Sequence, residues 1–278
     1  MKIRDWIPPI LSSTIGRMRS GSGKKRYASY SEALADCSAD GYENHDVVDV
    51  VVQKTLCYRK HQLASSQPVP IDATSAYSLF ALLLAAEGKS QINVIDFGGA
   101  AGAHYFLARS LLPSVTKLNW LVVETPAMAN RARAVLADEE LRFSSDLAEA
   151  AMLMGEVDLL HTSGTLQCVA NPYADLRQLM RIQANHLLLN RLGVTQGDHD
   201  VITVHQSRLS WNGPGAMPVG MTDRTITYPF VFPQEAVLRE IVRESYQDIA
   251  CFADPSGIFP VWGEPIIGLG LLASRRCV

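Results

Sequence analysis

One stretch constrains the fold of this chain more than any other: Asn93–Gly102, Asn-Val-Ile-Asp-Phe-Gly-Gly-Ala-Ala-Gly. It reads as a buried strand, Val94-Ile95-Asp96, then a glycine-rich turn, then a helix opening near Gly102. An apolar run that ends on a carboxylate and breaks into glycines is how a parallel strand presents its tip to a ligand. Gly98 and Gly99 allow backbone angles closed to other residues and let the chain approach a ligand closely. The first amides of the following helix face the same place.

Two cofactor classes use such a turn. The dinucleotide fingerprint needs G-x-G-x-x-G, and counting from Gly98 puts Ala100 and Ala103 at the later glycine positions, a poor fit. The spacing Asp96-x-Gly98-x-Ala100-x-Gly102 instead resembles motif I of the class I S-adenosylmethionine methyltransferases, D-x-G-x-G-x-G, with alanine for the middle glycine. Asp96, Gly98, Gly99, Ala100 and Gly102 are therefore the first cofactor-binding candidates. The plain alternative is a strand–helix turn with no ligand.

Length and composition bound the rest. A chain of 278 residues accommodates one large α/β domain with an N-terminal extension, or two small domains. Hydrophobic content of 47% and charged content of 19% are those of a globular protein. A net charge of −3 gives no case for nucleic-acid binding. The five cysteines (Cys37, Cys57, Cys168, Cys251, Cys277) are scattered, with no C-x-x-C, so neither a disulfide framework nor a zinc site is expected and a reducing cytoplasm fits. No apolar run approaches the roughly 20 residues of a membrane span, and prolines interrupt the apolar start, which makes a poor signal peptide. Lys2, Arg4, Arg17, Arg19, Lys24, Lys25 and Arg26 form a basic arm. It either makes weak contact with an anionic membrane surface or is loosely ordered.

The chain divides into a basic arm and linker (1–30), a helical segment (31–90) and an α/β domain (91–278). Three helices are expected first: a short one from Ser31, with Ser31 as N-cap; one from Asn44 or His45 to about Leu63; and one capped by Asp72 or Thr74 and stopped by Gly88. They lie over a cofactor as a lid or pad the sheet. Strands then alternate with helices: Ile92–Asp96, Asn119–Glu124, Leu141–Ser144, Val157–His161 and His186–Leu192, with helices at Gly102–Leu112, Pro126–Ala137 and Pro172–Gln183. The insertion Thr195–Phe232 has two strand-like runs, Val201–Gln206 and Thr225–Phe232, and would sit over the carboxyl end of the sheet. A helix to about Tyr246 and two final strands, Asp248–Phe252 and Pro265–Ser274, complete a doubly wound, seven-stranded, Rossmann-like sheet whose last strand is antiparallel.

Further candidates sit at predicted strand ends. Glu124 ends the second strand and can accept both ribose hydroxyls, or it can balance a helix dipole. The resemblance to class I methyltransferases implies that Asp146, after the third strand, accepts from an adenine amino group while the Leu147 amide meets a ring nitrogen; the alternative is that Asp146 is an N-cap. The run His161-Thr-Ser163-Gly-Thr165-Leu-Gln167 follows the fourth strand, where a sulfonium and its acceptor would face polar groups. His161, Ser163, His104 and Tyr105 are the catalytic candidates there, with His205 as a further base. Asn190-Arg191 is a polar pair within the fifth strand; Asn190 is a possible acceptor and Arg191 a possible carboxylate clamp. His199 and His205 lie too unfavourably spaced for a metal, and no metal is expected.

The combination resembles a family of methyltransferases met in polysaccharide and natural-product gene clusters, most of them named by fold. The resemblance covers nearly the whole chain: Trp6-Ile-Pro-Pro-Ile10, Tyr27-Ala-Ser-Tyr-Ser-Glu-Ala33, Gly41-Tyr42, Ile95–Gly102 with Tyr105-Phe106, Ser163-Gly-Thr-Leu-Gln167, Leu189-Asn-Arg191, Val204-His-Gln206 and Tyr228-Pro-Phe-Val-Phe232. It implies the class I methyltransferase fold with S-adenosylmethionine, and a helical lid. Three functions follow. The first is methyl transfer to an oxygen or nitrogen of a small molecule or glycan. The second is self-cyclisation of the cofactor to azetidine-2-carboxylate with release of 5′-methylthioadenosine, as in the azetidine-2-carboxylate synthases of that family, with no second substrate. The third is a non-catalytic binding subunit.

Overall fold

The computed structural model describes residues 25–37, 44–64, 71–112, 117–253, 261 and 263–276. The expectations placed on residues 1–24, Gly41-Tyr42, Ser65–Pro70, Pro113 and the loop 254–260 lie outside these residues.

Among the described residues three helices come first: α1 (Tyr30–Ala35), α2 (His45–Ala64) and α3 (Ala73–Ala85). Ser29, not Ser31, caps α1; its extended backbone lets Oγ accept from the Glu32 amide, and Ser31 falls inside the helix. Asp72 caps α3 by accepting from the Ser75 amide. The alternating part follows as β1 (Gln91–Phe97), α4 (Ala103–Leu111), β2 (Lys117–Val123), α5 (Pro126–Leu136), β3 (Leu141–Ser144), α6 (Leu147–Met154), β4 (Leu159–Ser163), α7 (Pro172–Met180) and β5 (His186–Thr195). Then come β6 (Val201–Arg208), β7 (Thr225–Phe232), α8 (Glu235–Arg243), β8 (Tyr246–Ala253) and β9 (Ile266–Arg275).

The main sheet runs β3-β2-β1-β4-β5-β9-β8. The first five strands are parallel, and β9 is antiparallel to both β5 and β8. With the β6–β7 hairpin set aside as its own two-stranded sheet, this is the class I methyltransferase fold. The strand order reverses between β1 and β4, the place where ligands bind in open parallel sheets.

Both sheet faces are covered, so the parallel strands read as apolar runs with no polar side. One face carries Ile92, Val94, Trp120, Val122, Leu159 and Leu188, packed with Val47, Val48, Val51, Leu82 and Ala85 from α2 and α3. The other carries Ile95, Leu121, Leu160, Leu187 and Leu189 beneath α6, α7 and α8. The α2 and α3 helices therefore contribute directly to the core of the sheet. Each fully buried leucine here contributes roughly 1.5–3 kcal/mol.

Three local differences from the sequence reading matter for the site. First, β4 is Leu159–Ser163 rather than Val157–His161. Asp158 stays at the amino rim, where its carboxylate accepts from the Asn93 amide and pairs with Lys89. His161 consequently sits inside the strand, opposite Asp96, and Ser163 forms its tip. Second, β5 continues to Thr195, with its register shifted between Leu189 and Leu192. Third, α7 stops at Met180 instead of Gln183; Gln183 has φ +53°, which no helix accommodates. The β6–β7 hairpin lies against β5, where a side chain on Gly193 would meet the Phe232 ring at 2.9 Å. The α1 segment leans on the same hairpin, with the Tyr27 amide donating to Ile202 O and the Tyr30 hydroxyl to Cys168 O.

Candidate active site

The glycine turn is built from left-handed backbone. Gly98, Ala100 and Gly102 have φ of +71°, +50° and +82°. Every second residue after Asp96 thus needs a conformation natural to glycine, and Ala100 takes it at a cost of about 1 kcal/mol. Gly98 is further constrained by contact: a Cβ there would lie 2.1 Å from Thr165 Oγ1. Gly102 serves as the backbone N-cap of α4 without a side-chain bond.

Glu124 stands just beyond β2 and faces this turn. One carboxylate oxygen accepts from the Ala100 amide at 3.0 Å and the other from the Thr125 amide at 2.8 Å. Burial raises its pKa, and the charge of Asp96 adds to the rise; the two amides pull it back only in part.

Behind the turn lies a buried polar chain. Asp96 is 0% exposed, and its oxygens accept from His161 Nδ1 at 2.7 Å and Trp120 Nε1 at 3.3 Å. His161 Nε2 meets Ser78 Oγ at 2.9 Å. Asn190 Nδ2 donates to Ser78 Oγ and to Thr74 O, while Asn190 Oδ1 accepts from the Arg191 amide. Residues from β1, β2, β4, β5 and α3 thus share one network. All four strand residues point to the face that α3 covers. Burial alone would raise the pKa of Asp96, but the charge and hydrogen bond of His161, with His104 and Trp120, hold it below the usual carboxylate value.

His104, in the first turn of α4, stands edge-on to His161 with ring centroids 4.7 Å apart. Its pKa is pushed down to about 4, chiefly by burial and by the charge of His161; Asp96 opposes this, Arg191 adds to it and Asp72 opposes it. Its Nδ1 is buried without a hydrogen-bond partner among the described residues. Thr162 Oγ1, Ser163 Oγ and Gln167 Oε1 are buried and unpartnered in the same way. Thr162 and Ser163 end β4, Gln167 lies in the 3-10 turn that follows it, and His104 lies in α4. Buried polar atoms are nearly always bonded, so such a concentration points to a ligand.

Arg191 occupies the bulge in β5 with φ +52°. Bulges re-aim side chains beside sites. Its guanidinium comes close to Gly164, where an added Cβ would lie 3.6 Å from Arg191 Cζ, and its charge lowers the pKa of Asp72.

The chain is similar to human N-acetylserotonin methyltransferase in complex with SAM, at 12% identity over 97% of this chain and 67% of that one, TM-score 0.47. It is similar to the SAH-bound N-terminal domain of EvdMO1, at 15% identity over 74% and 82%, TM-score 0.45. It is also similar to CalS10, a SAM-bound amino pentose methyltransferase from Micromonospora echinaspora, at 12% identity over 80% and 95%, TM-score 0.44. No family model and no curated protein sequence matches the chain.

Several sequence-predicted roles change on this geometry. Tyr105 is turned away from the site: its hydroxyl donates to Glu140 Oε2 at 3.2 Å, just ahead of β3 and at the amino end of the sheet. His161 is fully buried with both nitrogens engaged, which removes it as a base for a diffusing substrate. Asn190 spends both donors and its acceptor on Thr74, Ser78 and Arg191. Asp96, a cofactor-binding candidate, is fully buried and bonded to the side chains of His161 and Trp120. Asp146 caps α6 through the Glu149 amide and remains exposed, with Leu147 following it as the first helical residue. His199 lies in an exposed cluster with Asp198 and Glu264, and His205 packs beside Tyr228 and Phe230. Sequence reading missed Ser78 and Trp120. Trp120 carried a signal, since it alternates with Leu118 and Val122 on the Asp96 face; Ser78 carried none.

Proposed function

We propose that this chain is an S-adenosylmethionine-dependent methyltransferase acting on a small molecule, in a natural-product or polysaccharide pathway of a reducing cytoplasm. The observation that carries the reading is Glu124 held against the amide of Ala100 in a turn with three left-handed residues. The residues fit the cofactor chemically: a bare backbone cradle, a carboxylate for a ribose diol, and orphaned Ser163 and His104 atoms near the strand tips. Asp146 and the Leu147 amide would hold the adenine, and Arg191 the methionine carboxylate. The amine end must find partners other than Asp96, whose carboxylate is spent. When bound, S-adenosylmethionine supplies an electrophilic methyl group. The protein's part is to orient, and to exclude water under α3 and the β6–β7 hairpin. The N-terminal half of α3 acts as a fixed lid, tied down by Thr74 and Ser78.

Self-cyclisation is less well supported. It needs acceptors for the cofactor's amine, and the candidates Asn190 and Tyr105 are committed elsewhere. Calorimetric titration with S-adenosylhomocysteine tests the common ground. Wild type binds it, and Glu124→Ala weakens binding at least about tenfold, the scale of a lost charge-assisted hydrogen-bond pair. Absence of binding to wild type would sink the reading. Incubation with S-adenosylmethionine alone separates the chemistries: the cofactor stays intact if the protein is a methyltransferase, whereas 5′-methylthioadenosine with a cyclic amino acid establishes cyclisation.

A further inference from the structure

Asp96, His104 and His161 bring one carboxylate oxygen and two imidazole nitrogens within 4.8 Å of one another. Three elements make the grouping. Asp96 and His161 are register partners on β1 and β4, so their side chains share a face. His104 returns over them because the left-handed turn folds α4 back onto the tip of β1. Two of the three separations are 2.7 Å from His161 Nδ1 to Asp96 Oδ1 and 3.9 Å from His104 Nδ1 to Asp96 Oδ2. Donors about 2.0–2.1 Å from a tetrahedral metal lie roughly 3.3 Å apart, and these distances bracket that figure.

We propose that Asp96, His104 and His161 form a binding site for a divalent first-row transition metal of the zinc type. Two imidazoles and one carboxylate are the donor set such ions take, and three protein ligands leave a position open for water or a substrate oxygen. The unpartnered His104 Nδ1 is accounted for as a ligand atom. The surrounding bonds are those that orient metal ligands. Trp120 Nε1 donates to the carboxylate, and Ser78 backs the far nitrogen of His161. Coordination through His161 Nδ1 requires its proton on Nε2. Ser78 Oγ accepts that proton's hydrogen bond and turns its own hydrogen to Thr74 O, 3.3 Å away. One proton thus moves within the ring and none is lost. His104 keeps 24% of its side chain exposed, which provides an entry path. The charge of Arg191 opposes a cation here, and Asp72 offsets it.

The site does not depend on the methyltransferase reading, and its test uses no S-adenosylmethionine. Chelator-treated full-length protein is titrated with Co²⁺ and the visible ligand-field band is followed. One equivalent produces the band, and Zn²⁺ bleaches it. His104→Ala weakens Co²⁺ binding more than tenfold, and His199→Ala leaves it unchanged. His104→Cys restores a ligand and adds a sulfur-to-cobalt charge-transfer band. A wild-type protein with no stoichiometric band overturns the proposal, as does a band that His104→Ala leaves at full strength.

Discussion

Ala100 is the residue where local conformation and sequence disagree. Its φ of +50° is one that only glycine adopts without strain. Ala100→Gly is therefore expected to stabilise the protein by about 1 kcal/mol despite the greater freedom glycine gives the unfolded chain. The urea midpoint measures this, and a loss of stability would show that the alanine methyl makes contacts outweighing the strain. His104 makes a second argument at this scale. Its folded pKa of about 4 lies below the unfolded value of 6.5. Between those values the unfolded chain binds a proton that the folded metal-free protein refuses. Stability is therefore full above pH 6.5 and falls as the pH drops towards 4. His104→Asn removes that slope, about 2–3 kcal/mol across the window, as read from urea midpoints at pH 7 and pH 4.5.

At the scale of elements, the least expected feature is how α2 holds the insertion. Lys54 is 0% exposed, and Nζ donates to Ser210 O at 2.7 Å in the turn after β6. Burial pushes its pKa down to about 8, against a smaller upward pull from Asp223. The unfolded chain holds this proton up to about pH 10.5, so stability rises as the pH climbs from 8 towards 10.5. Lys54→Met should abolish that rise and stabilise the neutral-pH protein by about 1–2 kcal/mol, because a buried charge is exchanged for an apolar chain of similar length. Thermal unfolding at pH 7 and pH 10 checks both halves. A variant less stable than wild type at pH 7 would mean that the Ser210 bond outweighs the desolvation cost.

For the molecule as a whole, α3 links the apolar core to the candidate site. Leu82 and Ala85 pack on the sheet, while Ser78 and Thr74, nearer its start, close the polar chain through His161 and Asn190. Removing Asp96 should therefore loosen the whole assembly. Asp96→Asn is expected to cost about 3–5 kcal/mol at neutral pH, the scale for breaking a buried pair. Because the folded pKa of Asp96 is depressed, its contribution is present above pH 3.8 and lost as the pH falls through the depressed value. The variant accordingly loses part of the acid-unfolding transition, which circular dichroism at falling pH follows.

Much of this architecture was legible in the chain itself. Apolar runs of five to seven residues, ended by glycine, carboxylate or proline, can only be strands buried on both faces, and helical periodicity between them forces a parallel, doubly wound sheet. The glycine-rich turn at Gly98–Gly102 and the carboxylate Glu124 ending the second strand were legible for the same reason, since backbone angle and chemistry are local properties; that Glu124 accepts from the Ala100 amide was not. What Asp96, His104, His161, Asn190 and Tyr105 do was not local. A two-residue shift in β4 put His161 inside the strand beside Asp96, and the rotation of α4 sent Tyr105 to Glu140 while bringing His104 to the carboxylate. Ser78 joined from a helix expected as a lid or as padding for the sheet, with nothing in the sequence to mark that position. Register and helix rotation are set by how complete faces pack together. Only the folded chain decided which polar groups were spent on one another and which were left for a ligand.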